Sequence, residues 1–236
     1  MLIHHIFRLI FHVLLLAAAL ALYFIDIERL NFVTVLYQGL DGAYLWIVWA
    51  TLAIPMLFRI FPNRRIAIGA RKHFACSYDP VAQIVSGAEE LPKAIKHLHK
   101  GAFLSGFGWL VITAAILFML FHLGMLIPSA VLILTLVYAV VDLVFVLFFC
   151  PLRTLFMRNR CCVTCRIHNW DYFMKCAPMI LFPSIYSISL VVLSAIVILC
   201  WEIALRRNPH FFSRETNNSL HCSACLDKLC QLRIKI

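Results

Sequence analysis

Long apolar runs alternate along this chain with short polar stretches rich in Arg and Lys. The runs cover residues 6–25, 43–61, 102–126, 128–150 and 178–205. A spanning helix needs about 20 mostly apolar residues to cross a hydrocarbon core of about 30 Å. In lipid a single helix satisfies its own backbone groups, which a lone strand cannot do. No run shows the ten-residue alternation of a barrel strand. The predicted fold is therefore all-α: a polytopic integral membrane helix bundle of about five transmembrane helices over residues 1–205, followed by a Cys-rich tail over 206–236. The first run carries Arg8 and an Ala19-Leu20-Ala21 sequence resembling a cleavage site, but it stays apolar to Ile25. That length favours a retained anchor over a signal peptide.

Composition agrees. Of 236 residues, 63% are hydrophobic and only 14% charged, with a mean hydropathy of +0.91. A soluble domain carries about a quarter charged residues. The net charge of +10 then reads as an orientation signal, because Lys and Arg gather on the cytoplasmic side. The connection 62–101 holds Arg64, Arg65, Arg71, Lys72, Lys93, Lys96 and Lys100. The connection 151–177 holds Arg153, Arg158, Arg160, Arg166 and Lys175. Residues 26–42 hold Arg29 alone, beside three acids. The expectation is a multi-pass protein of the plasma (cytoplasmic) membrane with connections 62–101 and 151–177 inside. No separate basic domain exists for nucleic acid, so none is expected as a partner.

The tail breaks the pattern. Arg206, Arg207, Arg214, Lys228, Arg233 and Lys235 also ask to be cytoplasmic, whereas a fifth crossing exports them. Either the tail leaves despite its charges, or the stretch from about Ile167 to Leu205 crosses and returns, broken at Pro178 and Pro183. The five-crossing arrangement is the expectation, because a returning limb would carry Asp171 and Lys175 into lipid at high cost.

Six of the ten cysteines lie in two short stretches, "CCVTC" and "CSACLDKLC". The pairs Cys162/Cys165 and Cys222/Cys225, with Cys230 as a further thiol, have the ligand spacing of zinc ribbons and some iron–sulfur sites. If the chain returns, the two pairs can share one ion. If it does not, about 30 Å of membrane separates them. The expected cofactor is zinc or an iron–sulfur cluster. Asn217-Asn218-Ser219 also matches a glycosylation acceptor, which requires a tail outside the cytoplasm.

Residues following Asp79-Pro80 and those near Pro92 read as two short helices leading to the third span. Lys93, Lys96 and Lys100 share one side, a pattern suited to anionic lipid at the cytoplasmic face; a protein partner there is unspecified. Within the spans, Asp142 lies about 12 Å from the inner end of its helix and is expected to face the bundle interior. His12, at a similar depth, is its expected ionisable partner.

These features support an integral membrane protein with a Cys-rich metal knuckle and a role in assembly or signalling. The alternatives are a membrane thiol-disulfide/quinone oxidoreductase using Cys162 and Cys165, or a transporter subunit, which calls for repeats or interrupted helices. No nucleotide loop, Ser-His-Asp order or H-E-x-x-H occurs, so catalytic residues are not assigned.

Overall fold

The computed structural model describes residues 2–60, 78–80, 84–155 and 165–224. It is nearly all helical, and its only β-pairing among these residues is one isolated bridge, Pro80 to Asn217. Five helices are long and apolar enough to cross a membrane: α1 (Leu2–Ile25), α2 (Ala43–Ile60), α3 (Ile84–His122), α4 (Pro128–Leu147) and α7 (Ile185–Arg207). The chain is thus an all-α, multi-pass membrane bundle. Two short helices, α5 (Pro151–Leu155) and α6 (Asp171–Cys176), lie in the connection between α4 and α7.

The bundle is built from two pairs. Helix α1 packs along α4, and α2 packs along α7. The first pair is antiparallel: Ser129, at the start of α4, donates to the Ile27 carbonyl just beyond the end of α1, at 3.1 Å. The second pair is parallel. Tyr186, at the start of α7, donates to the Leu45 carbonyl at the start of α2 (2.9 Å), and Trp49 Nε1 donates to Ser189 Oγ (2.9 Å). Burial follows a helical stripe on α7 through Tyr186, Leu190, Ser194, Val197, Trp201 and Leu205, the spacing of one face.

Two parallel helices of one chain need a crossover. Here the segment 171–184 provides it. Asp171 is joined to Arg59 at the C-terminal end of α2, and Tyr186 to Leu45 at its N-terminal end. Those two α2 positions are roughly 21 Å apart along the helix axis. The segment therefore descends through the bundle as α6 and the 3-10 turn Ala177–Leu181, packed between α4 and α7. Pro183 and the Ser184 cap explain why the apolar run 178–205 does not form one helix. Proline disfavours helix in the residue before it. Ser184 Oγ then accepts from the Ser187 amide at 3.2 Å, and Ser187 Oγ accepts from the Ser184 amide at 2.9 Å, a reciprocal cap that starts α7.

Helix α7 consequently ends on the face where α2 ends. Glu202, near its end, takes Arg166 and Trp170 Nε1 (2.9 Å) from the α4–α7 connection. Beyond α7, Asn218 N donates to the Asp79 carbonyl (2.8 Å), and the Tyr78 ring meets His210 edge-on and Phe211 at a tilt. The chain returns, so the tail up to residue 224 shares a face with residues 78–80. That departs from the expected five-crossing arrangement. Asn217 is fully buried and bonded to the Phe211 carbonyl, so in this fold it offers no amide to a glycan.

Helix α3 is also longer than expected. It runs through Pro92 without a break, joining the second predicted short helix to the span; residues 81–83, where the first would begin, lie outside the described residues. It touches the bundle through small residues. Ala102 and Ser105 are buried, and a Cβ on Gly106 would lie 3.2 Å from the Trp170 ring.

Candidate functional site

The end of the bundle where α1 begins and α2 ends holds a buried cluster of charges drawn from α1, α2, α4 and α6. Asp171 opens α6, and its Oδ1 accepts from the following amide, Tyr172 N, at 2.8 Å. Arg59, in the last turn of α2, grips the same carboxylate with both arms of its guanidinium, at 2.8 and 3.2 Å. This bidentate fork is the strongest geometry of an ion pair. Lys175 lies one helical turn after Asp171. Its Nζ is 2.8 Å from Asp142 Oδ2 and 3.5 Å from Asp171 Oδ2. The Tyr172 ring forms the floor, with the Arg59 and Lys175 cations 4.6 and 4.2 Å from its centroid. Arg8 of α1 donates to the Tyr172 hydroxyl at 3.3 Å.

Two carboxylates and two cations thus cancel, three of the four side chains buried and Asp142 partly exposed. Arg59 and Asp171 expose 9% and 7% of their side chains, Lys175 5%. The cost of Asp171 and Lys175 in a returning limb is met by pairing, as buried charge requires.

His168 completes the group. Arg59 Nη2 lies 3.0 Å from its Nε2, and Arg59 also donates to the His168 carbonyl. A guanidinium can only donate, so Nε2 accepts and the ring is neutral. Accordingly the His168 pKa is well below its ordinary value, through burial and then the Arg59 charge.

Asp142 faces the interior, and α1 packs against its helix. Its partner is Lys175 rather than His12, whose Nδ1 donates to the Arg8 carbonyl at 2.7 Å. Of the cysteines, Cys165 is buried beside Ala102, Ile167 and Met174, and Cys222 opens the short turn Cys222–Ala224. Cys162, Cys225 and Cys230 lie outside the described residues.

One oxygen each of Asp142 and Asp171 and one nitrogen of His168 come within 4.8 Å of one another, a spacing open to a metal ion. Charge argues otherwise. Arg59 and Lys175 already supply two positive charges to the two carboxylates, and Arg59 occupies His168 Nε2. A divalent ion would compete with both. The cluster is therefore an ion-pair lock holding α6 to α2 and α4.

Sequence reasoning missed Arg59, His168, Asp171 and Lys175 as a group. The available signal was Asp171 and Lys175 at i, i+4, the spacing that places both on one helical face.

Two clefts flank the lock. One, about 110 Å³, is lined by Trp109, Tyr138, Asp142, Cys165 and His168. The other, about 410 Å³, lies between α1 and α2. Comparison of the chain with protein families, curated proteins and solved structures finds no match.

Proposed function

We propose that this multi-pass membrane protein carries one thiolate metal centre, with zinc the first choice, that clasps the C-terminal tail to the α4–α7 connection, and that it acts in assembly or signalling rather than turnover. The observation behind this reading is the return of α7. With the return, Cys165 and the turn that Cys222 opens belong to one face. Cys165 and Phe212, ten residues before Cys222, line the same cleft. Two C-x-x-C pairs meeting at one ion give the tetrahedral sulfur set that zinc favours, and metal binding would add directly to the stability of the folded tail. The excess of Arg and Lys in the sequence of connections 62–101 and 151–177 and of the tail supports reading this face as the cytoplasmic side of the plasma membrane, where thiols stay reduced.

Metal analysis of the purified protein tests the reading. Stoichiometric zinc or iron is expected, lost on Cys162→Ser and equally on Cys222→Ser. Metal-free protein, or loss from one variant alone, would overturn it.

A second reading, a transporter subunit, draws on the interrupted helix. Transporters place ionisable groups where a broken helix meets the bundle, and α6 begins at four paired charges. Proton or ion flux into proteoliposomes that vanishes in Asp142→Asn would favour it over the clasp.

A further inference from the structure

The cleft between α1 and α2 differs in character from the ion-pair lock beside it. Its lining includes Arg8, Arg59 and three histidines, and no carboxylate. Polarity is graded along it. His4, His5, Arg8 and Arg59 lie toward the inner helix ends; Phe11, Thr51 and Ile47 lie progressively deeper.

Two of these polar groups have unmet demands. His5 is 3% exposed, and neither of its ring nitrogens has a hydrogen-bond partner among the described residues. Buried polar nitrogens are paired in the great majority of cases, and a neutral imidazole has one donor and one acceptor to satisfy. Arg8 forms no ion pair with a carboxylate among the described residues; its one hydrogen bond is the 3.3 Å contact to Tyr172. Arg59, by contrast, is neutralised by Asp171. His12 gives its Nδ1 proton to the Arg8 carbonyl and so serves as wall rather than donor. The unbalanced positive charge of the cleft is therefore that of Arg8, with His5 beside it.

We infer that this cleft binds an anionic membrane phospholipid, its phosphate between Arg8 and His5 and one acyl chain along Phe11, Thr51 and Ile47. A guanidinium presents paired donors that match phosphate oxygens, and the apolar depth of the cleft suits a hydrocarbon chain. The basic end lies at the level of the helix ends, where lipid headgroups sit. The inference is independent of the thiolate centre.

The test is a titration of the purified full-length protein in detergent with phosphatidylglycerol, with lipid adducts counted by native mass spectrometry. Phosphatidylcholine and inorganic phosphate are titrated separately. Phosphatidylglycerol is expected to bind about tenfold more tightly than phosphatidylcholine, which carries the same phosphate but neutralises it with its own choline cation, so that only the former brings net negative charge to Arg8. Arg8→Gln should remove that preference, and Lys93→Gln, on the exposed basic stretch of α3, should leave it intact. Ile54→Trp fills the apolar part of the cleft without touching a charge and should weaken both lipids. It carries the test if Arg8→Gln fails to fold. Equal binding of the two lipids would overturn the inference, as would equal losses in Arg8→Gln and Lys93→Gln, or tight binding in Ile54→Trp. Inorganic phosphate binding as tightly as the lipid would overturn the acyl chain's part in it.

Discussion

The connection between α1 and α2 and the connection between α4 and α7 use the same parts to different ends. Both include 3-10 turns, and each contributes an aspartate paired with an arginine at 2.8 Å, Arg29 from within the first connection and Arg59 from α2. In the first, Arg29 and Asp26 expose 50% and 41% of their side chains. In the second, Asp171 meets Arg59 with less than a tenth of either side chain exposed. Distance alone therefore says little about a pair. Exposed pairs contribute about 0–1 kcal/mol, whereas removing one partner of a buried pair strands a charge and costs about 3–5 kcal/mol. The first pair lies at the surface of a connection that sends Leu30, Phe32 and Val35 into the core; the second pair is itself part of the core.

The sharpest way to break this comparison is Arg59→Met. It removes the bidentate partner of Asp171, leaving only Lys175 at 3.5 Å and the Tyr172 amide, and should lower unfolding free energy by about 3 kcal/mol, read as a fall in the thermal midpoint in detergent. Adding Asp171→Leu should restore much of that loss, because an apolar pair of similar volume leaves no unpaired charge. A double variant no better than the single one would contradict the lock. Asp142→Leu comes next, at about 2 kcal/mol, because Lys175 retains Asp171 at 3.5 Å. Asp142→Asn should cost less, since the amide oxygen still accepts from Lys175.

Acid should act through His168. Its folded pKa is depressed, so below about pH 6.5 the unfolded chain binds a proton that the folded protein refuses. Stability then falls as pH drops, by up to about 1.4 kcal/mol per unit. Denaturation midpoints between pH 7 and 5 check this, and the His168→Gln variant should show a shallower slope. The smallest effect belongs to the exposed pair: Arg29→Ala should change stability by less than about 1 kcal/mol. A larger loss would mean that the two connections do not differ as their burial says.

Much of the fold could be read from hydropathy, because spanning helices announce themselves by length. Helix α4 illustrates the limit of that signal. Half of its most apolar window is buried, against 11% for α3, yet both read as apolar throughout, since lipid and protein interior select the same residues. Hydropathy could not say that 171–184 descends through the core. Its brevity hid it from a twenty-residue criterion, and Asp171 and Lys175 made it look unsuited to the membrane. Their partners, Arg59 and Asp142, are far away in sequence, so only the fold shows that the cost is met. The surplus of positive charge in the tail and the prolines Pro178 and Pro183 were the sequence features that argued for the return. Asp142 was legible as an interior carboxylate from depth alone; Lys175, rather than His12, became its partner because α6 comes back into the bundle.

The return of α7 is the central claim, and antibody access to two epitopes in intact cells tests it directly. One epitope is inserted at Leu40, which is 94% exposed in the α1–α2 connection, and the other is fused after Ile236. With the return, the two lie on opposite sides of the membrane. The Leu40 epitope should be stained in intact cells and the C-terminal one only after permeabilisation. Staining of both without permeabilisation would place the tail beside the α1–α2 connection and contradict the fold described here.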